Sequence, residues 1–155
     1  MLYACDGKWW KHHKGVPEFE GLKLSQDVEA CTSYLDVHKV DAEQTATMRV
    51  DDPGHIATGS AEGGNSGFQA LNLAVQFGAK RIGLVGFDMR SDQGVHWHGE
   101  HPRGLNNPKT RNFINWRLAF DDAALHLAKL GVRVFNLSPV STLTCFPFAK
   151  LEDIL

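Results

Sequence analysis

Ser66-Gly-Phe-Gln-Ala-Leu-Asn-Leu-Ala-Val-Gln-Phe-Gly-Ala-Lys-Arg-Ile-Gly-Leu-Val-Gly86 decides the fold class. Its first half places apolar side chains at Phe68, Leu71, Ala74 and Val75, the spacing of one helical face, and predicts a helix over 66–77. Asn65 or Ser66 caps its start, and Gly78 suits the left-handed position just past its end. After a short link, Arg81-Ile-Gly-Leu-Val-Gly86 is continuously apolar and bounded by glycine, which reads as a strand buried on both faces of a parallel sheet. The same rhythm returns downstream. Phe113, Trp116, Phe120, Ala123, Leu127 and Leu130 form one stripe of a helix over 112–130. Gly131 stops it, and Val132-Arg-Val-Phe-Asn-Leu137 reads as a further strand, cut off by Ser138-Pro139. Helix, glycine, strand, twice in succession, predicts a parallel α/β fold.

The first third carries weaker signals. Leu2-Tyr-Ala-Cys5 reads as a strand running into Asp6-Gly7, followed by a short helix through Trp9 and His13. Leu22–Ser25, Tyr34–Val40 and His55–Thr58 are further strand candidates, and Asp51-Asp-Pro-Gly54 is a turn. No repeat or linker divides the chain, so its 155 residues are expected to make a single domain over 1–155. An apolar fraction of 43% suits a folded globule. No apolar run reaches the ~20 residues of a membrane span, and no secretory leader is visible at Met-Leu-Tyr-Ala-Cys-Asp. Sixteen basic against eighteen acidic residues, a formal charge of -2, exclude a generally basic nucleic-acid binder. Three scattered cysteines without a CxxC pair make no disulfide framework and point to reduced thiols and a cytoplasmic location.

In open parallel sheets, ligands bind beyond the carboxyl ends of the strands. Asp6-Gly7, Thr58–Gly67, Gly86–Met89 and Asn136–Ser141 are expected to meet at that edge, joined by a long loop over 91–111. Thr58-Gly-Ser-Ala-Glu-Gly-Gly-Asn-Ser-Gly67 is a glycine-rich approach to a helix start. Backbone N–H groups and the helix dipole there favour an anion, so Gly64, Asn65, Ser66 and Gly67 are candidate phosphate contacts. A flexible turn with a good N-cap fits equally well, because neither a Walker A lysine nor a GxGxxG fingerprint is present. His96-Trp97-His98-Gly99-Glu100-His101 offers three imidazoles for a transition metal, but no fourth ligand or nearby thiol, so it is not expected to be a structural zinc site. The competing reading gives one of these histidines acid/base work. Asp88 suits a ribose hydroxyl or a cation, or a plain turn, and Asp6 is equally ambiguous. Ser138 and Ser141 read as ligand contacts or as turn and cap residues. Cys145 lies in an apolar context and is expected to be buried, and no catalytic triad or carboxylate pair emerges from spacing.

Gly64-Asn-Ser-Gly67 with its helix, Arg81-Ile-Gly-Leu-Val-Gly-Phe-Asp-Met89 and Asn136-Leu-Ser-Pro-Val-Ser-Thr-Leu143 together resemble one superfamily. It includes archaeal 6-hydroxymethylpterin pyrophosphokinase-like domains, bacterial lipooligosaccharide sialyltransferases and short phage and prophage proteins. The histidine pattern 96–101 is similar to that of the phage-type members. The resemblance implies a Rossmann-like three-layer sandwich with a mostly parallel sheet that binds a nucleotide or nucleotide sugar. It implies that Ser66-Gly67 contacts the nucleotide, that His101 acts as general base and that Asp6 faces the substrate. The paired tyrosines that assist phosphate departure in the sialyltransferases have no counterpart between Asp88 and His101.

The family's first strand and its Gly-Pro-Ser loop are also absent. The resemblance therefore leads to the expectation that the coding start lies upstream of Met1, or that rearranged strands or a second copy in a homo-oligomer close the gap. The function expected is that of a nucleotide- or nucleotide-sugar-binding, glycosyltransferase-like protein. Two rivals are a pterin or nucleotide pyrophosphokinase needing Mg²⁺ on carboxylates such as Asp88, and a non-catalytic phage module that sequesters a nucleotide or contacts a host protein.

Overall fold

The computed structural model describes residues 1–59, 64–92, 94, 96 and 99–155. Among the described residues seven short strands and four α-helices follow in the order β1 Leu2–Tyr3, α1 Gly7–His12, β2 Lys23–Ser25, α2 Val28–Ser33, β3 Val37–Lys39, β4 Asp41–Glu43, β5 His55–Ala57, α3 Ser66–Gln76, β6 Arg81–Leu84, α4 Thr110–Lys129 and β7 Arg133–Asn136. Every strand pairing is parallel. The fold is thus mixed α/β with small parallel sheets, and both long helices fall where apolar spacing puts them.

The strands form three sheets, ordered β1-β2-β3, β4-β5 and β6-β7. The first two share one extended run. The Val40 N–H still donates to the Ser25 carbonyl at 2.8 Å, and the Asp41 N–H already donates to Gly54 on the approach to β5. Helices cover both faces of this run. Period-two alternation turns Ala4 and Val37 toward Trp10 of α1 and Ala30 of α2. It turns Leu24, Val40 and Ile56 the other way, toward Leu73 of α3. Lys23 lies buried, with its ammonium on the Asp36 carboxylate. The largest core joins α3 and α4 to β5, β6 and β7. At its centre the fully buried Phe120 ring meets Phe68 at 5.2 Å and Phe87 at 5.7 Å between ring centres, both edge-to-face. Truncating such a ring to alanine costs about 3–5 kcal/mol.

Three readings from sequence are corrected. Residues 81–86 are not buried on both faces: Arg81 and Gly83 are exposed, Val85 is 73% exposed, and only Leu84 is buried. The reason is that one face of β6 alone is covered: Ile82 and Leu84 pack on the core around Phe120, whereas Arg81, Gly83 and Val85 alternate to the other side. The span 34–40 is a strand only over 37–39, and α2 precedes it, started by the Asp27 carboxylate accepting from the Ala30 N–H at 2.8 Å. Cys145 is partly rather than fully buried. The glycine stops hold: Gly78 and Gly131 sit at φ +86 and +68 just past α3 and α4, a conformation that a Cβ disfavours.

Candidate functional site

Two cavities adjoin where α3 begins. The first, about 490 Å³, is walled by Gly67, the loop Gly86–Arg90 and Phe113. The second, about 590 Å³, is walled by Tyr3, Asp6, Trp9, Ser66, His101 and Asn112. Asn65, His96, Pro108 and Trp116 border both, so the two chambers meet at a shared waist. The imidazole of His96 at that waist lies 4.3 Å between ring centres from that of His101 in the second chamber, tilted by 54°. The His101 N–H donates to Asn107 Oδ1 at 2.8 Å, which fixes the loop that carries it.

The helix start that floors the cleft is built mostly by its own local bonds. Asn65 Oδ1 accepts from the Phe68 N–H at 2.8 Å and is the N-cap. Ser66 Oγ accepts from the Cys5 N–H at 3.1 Å and lies 3.2 Å from Cys5 Sγ, tying α3 to the end of β1. The glycines have packing reasons. A Cβ on Gly64 would sit 1.7 Å from the Thr58 carbonyl oxygen, and one on Gly67 would sit 2.7 Å from the Phe87 ring. Glycine at these two positions is therefore required by close approach of the chain to itself, whatever the ligand.

The Gly86–Met89 loop is held from behind. Ser138 Oγ accepts from the Gly86 N–H at 2.8 Å, Ser141 Oγ donates to the Phe87 carbonyl, and the Thr142 N–H donates to the Asp88 carbonyl at 2.8 Å. Ser138 and Ser141 border neither chamber, so their expected ligand contact gives way to a supporting role: the turn after β7 passes behind the loop, not beside the cleft. Thr142 Oγ1 also bonds the Met89 carbonyl at 2.7 Å, and Met89 takes the left-handed φ of +53, uncommon for a non-glycine residue. Asp88 borders the first chamber. Arg90, at its mouth, is engaged by Asp92 and by the Val140 carbonyl.

Asp6 borders the second chamber and also caps α1, its carboxylate accepting from the Lys8 N–H at 2.9 Å. Tyr3, beside it, donates to Gln69 Oε1 at 2.8 Å, and burial holds its phenol well above the usual range. Burial also raises the Cys5 thiol, so this wall offers no ready thiolate. Of the residues singled out from sequence, Asp6, Gly64, Asn65, Ser66, Gly67, Asp88, His96 and His101 border the cleft. His98 and residues 60–63 of the glycine-rich loop lie outside the described residues. Among the described residues no group of three or more His, Cys, Asp or Glu converges to hold a metal ion.

Sequence reasoning missed the aromatic and amide lining: Tyr3, Trp9, Phe87, Asn112 and Trp116. Trp116 belongs to the core stripe of α4 by spacing, and only its position near the start of the helix, beside the long loop, hints at another use. The chain matches no family model, no curated protein and no solved structure.

Proposed function

We propose that this chain is a nucleotide- or nucleotide-sugar-binding protein of glycosyltransferase-like type on a Rossmann-like scaffold. One observation carries the reading: two chambers of drug-sized volume meet at a histidine-bearing waist beside the N-terminus of α3. A transfer reaction needs two ligands held end to end with a base at the junction. In this reading the nucleotide occupies the first chamber, with its ribose on Asp88 and its phosphate near the backbone N–H groups of Ser66 and Gly67. The acceptor occupies the second chamber, whose aromatic rings, amides and Asp6 carboxylate suit a polyhydroxylated ring. His101 takes the proton of the attacking hydroxyl, which is a poor nucleophile until deprotonated. The scaffold supports the reading through its all-parallel pairing and the helices on both faces of the β1–β5 run.

The Mg²⁺-dependent pyrophosphokinase reading draws less support. Asp88 is the one carboxylate among the described residues of the first chamber, and Asp6 the one in the second. The supporting roles of Ser66, Ser138 and Ser141 favour the other rival, binding without turnover. Thermal unfolding with CMP, UDP, GTP and ATP, each with and without Mg²⁺, tests all three. A nucleotide present at ~100 Kd adds about 2.7 kcal/mol and raises Tm by roughly 5–11 °C. Stabilisation that strictly requires Mg²⁺ transfers the reading to the kinase, and no shift with any nucleotide refutes nucleotide binding. His101→Ala then separates transferase from sequestering module: in a transferase it abolishes turnover and leaves nucleotide affinity intact.

A further inference from the structure

Three asparagines on the wall of the second chamber spend their amides alike. Asn65 Oδ1 accepts from the Phe68 N–H, Asn107 Oδ1 from the His101 N–H and Asn112 Oδ1 from the Lys109 N–H, each at 2.8 Å. A backbone N–H only donates, so each bond fixes which end of the amide is oxygen and which is nitrogen. The three Nδ2 groups have no partner among the described residues, and none of them is buried. Each brings two N–H donors to the chamber's border. Acceptor oxygens beside them are engaged in turn: Asp6 Oδ1 takes the Lys8 N–H and Ser66 Oγ takes the Cys5 N–H. A neutral sugar offers hydroxyls that donate as well as accept, whereas a surplus of donors suits a group that only accepts. Charge agrees. Between Glu100 and Asp121 the chain carries Arg103, Lys109, Arg111 and Arg117 and no carboxylate, in a protein of net charge -2. Arg103, Lys109 and Arg111 are exposed. Lys109 and Arg111 directly follow and precede Pro108 and Asn112 of the wall. Neighbouring α-carbons lie ~3.8 Å apart, inside the ~8 Å over which charge acts at physiological salt.

We propose that the acceptor held in the second chamber is an anionic sugar, with its carboxylate or phosphate on the amides of Asn107 and Asn112 and its hydroxyls toward Asp6. The proposal rests on the transferase reading of the cleft and goes further by naming the substrate class. A carboxylate or phosphate oxygen only accepts, and its bonds to N–H donors are charge-assisted. The exposed cations of the 101–112 segment raise the local concentration of such a ligand. The Asp6 carboxylate repels an anion placed beside it, so it directs the anionic end toward that segment and accepts hydroxyl protons instead.

The test is a ¹⁵N NMR titration of the full chain. It is read at the side-chain NH₂ signals of Asn107 and Asn112 and at the Gly86 amide, which borders the first chamber and not the second. CMP, UDP, GTP and ATP are added first. Glucose, glucuronate and glucose 6-phosphate follow, one ring with three different groups at its sixth carbon, with inorganic phosphate beside them. The expected result is that a nucleotide moves Gly86, and that glucuronate or glucose 6-phosphate moves Asn107 and Asn112 at least about tenfold more tightly than glucose. Which of the two binds tells carboxylate from phosphate. Asn107→Asp and Asn112→Asp keep the acceptor for the backbone N–H but put an anion-repelling oxygen in place of the NH₂ donor, and the lost signal assigns each residue. Each is expected to weaken the anionic sugar about tenfold or more, with Tm unchanged or raised. Glucose binding as tightly as its acids overturns the proposal and leaves the transferase reading standing. Inorganic phosphate binding as tightly as the sugars overturns it too, as an adventitious ion only. A nucleotide that itself moves Asn107 and Asn112 and blocks the sugars overturns the proposal and relocates the nucleotide. Moving asparagine signals with Gly86 still under every nucleotide support the anionic sugar and refute the nucleotide reading. If the variants fail to fold, the three sugars on the unaltered chain decide.

Discussion

Asn72 is the side chain on which the placement of α3, and so of the cleft floor, depends most directly. It is 0% exposed in the middle of the helix. Its Oδ1 accepts from the Ala57 N–H at 2.8 Å and the Arg49 N–H at 3.1 Å, and its Nδ2 donates to the Arg49 carbonyl at 2.6 Å. These three bonds are not equal in Asn72→Ala. Arg49 is exposed, so water replaces what its backbone loses. Ala57 is 0% exposed, and β4 already bonds the neighbouring Thr58 N–H, so the Ala57 N–H is left without a partner. One stranded buried donor costs about 1–3 kcal/mol. Taking ~2 kcal/mol, and 2–4 °C per kcal/mol at this chain length, Tm falls by roughly 4–8 °C. Urea unfolding should show the midpoint falling with an unchanged m-value, since the surface exposed on unfolding is the same. A loss below ~0.5 kcal/mol refutes the clamp.

Asn72→Asp adds a pH signature. The new carboxyl keeps the acceptor for Ala57 but faces the Arg49 carbonyl with its second oxygen. Only the protonated form donates there, so its folded pKa lies above the unfolded carboxylate value of about 3.9. The deficit against the unaltered chain is therefore small near that pH and grows as pH rises toward 7. A deficit independent of pH refutes this account.

Gly64→Ala should destabilise the chain strongly, because its Cβ meets backbone at Thr58, whereas Gly67→Ala should cost less, because the Phe87 ring it meets can turn aside. Comparing their urea midpoints checks the order, and equal losses refute it. All three thiols should resist alkylation at pH 8. Burial raises Cys5 and Cys31, and burial with the nearby Asp121 carboxylate pushes Cys145 up to about 12, so each holds less thiolate than in the unfolded chain until pH climbs well into the alkaline range. Iodoacetamide labelling read by mass spectrometry should run slower on the folded chain than in urea at each thiol; a native thiol labelled at the unfolded rate refutes this.

The two long helices, the glycine stops at 78 and 131, and the parallel pairing they imply are all legible in the order of the amino acids. These features are local: a 3.6-residue stripe, an Asn65 cap and a left-handed glycine act within a few residues of chain. Helix α2 escaped because six residues with one buried side chain, Ala30, carry no stripe, though its Asp27 cap was there to read. The rest came from the packing of distant segments. It left Arg81, Gly83 and Val85 exposed, since burial of a strand depends on what other segments lay across it. It turned Ser138 and Ser141 from ligand contacts into props, since a hydroxyl bonds whichever backbone the fold brings near. It brought His96 to His101, and both to Trp9 and Asp6 some ninety residues away in the chain. Trp116 shows the division: period tells which face of α4 it shares with Phe113, but not that the residue, packed on the core, also borders both chambers.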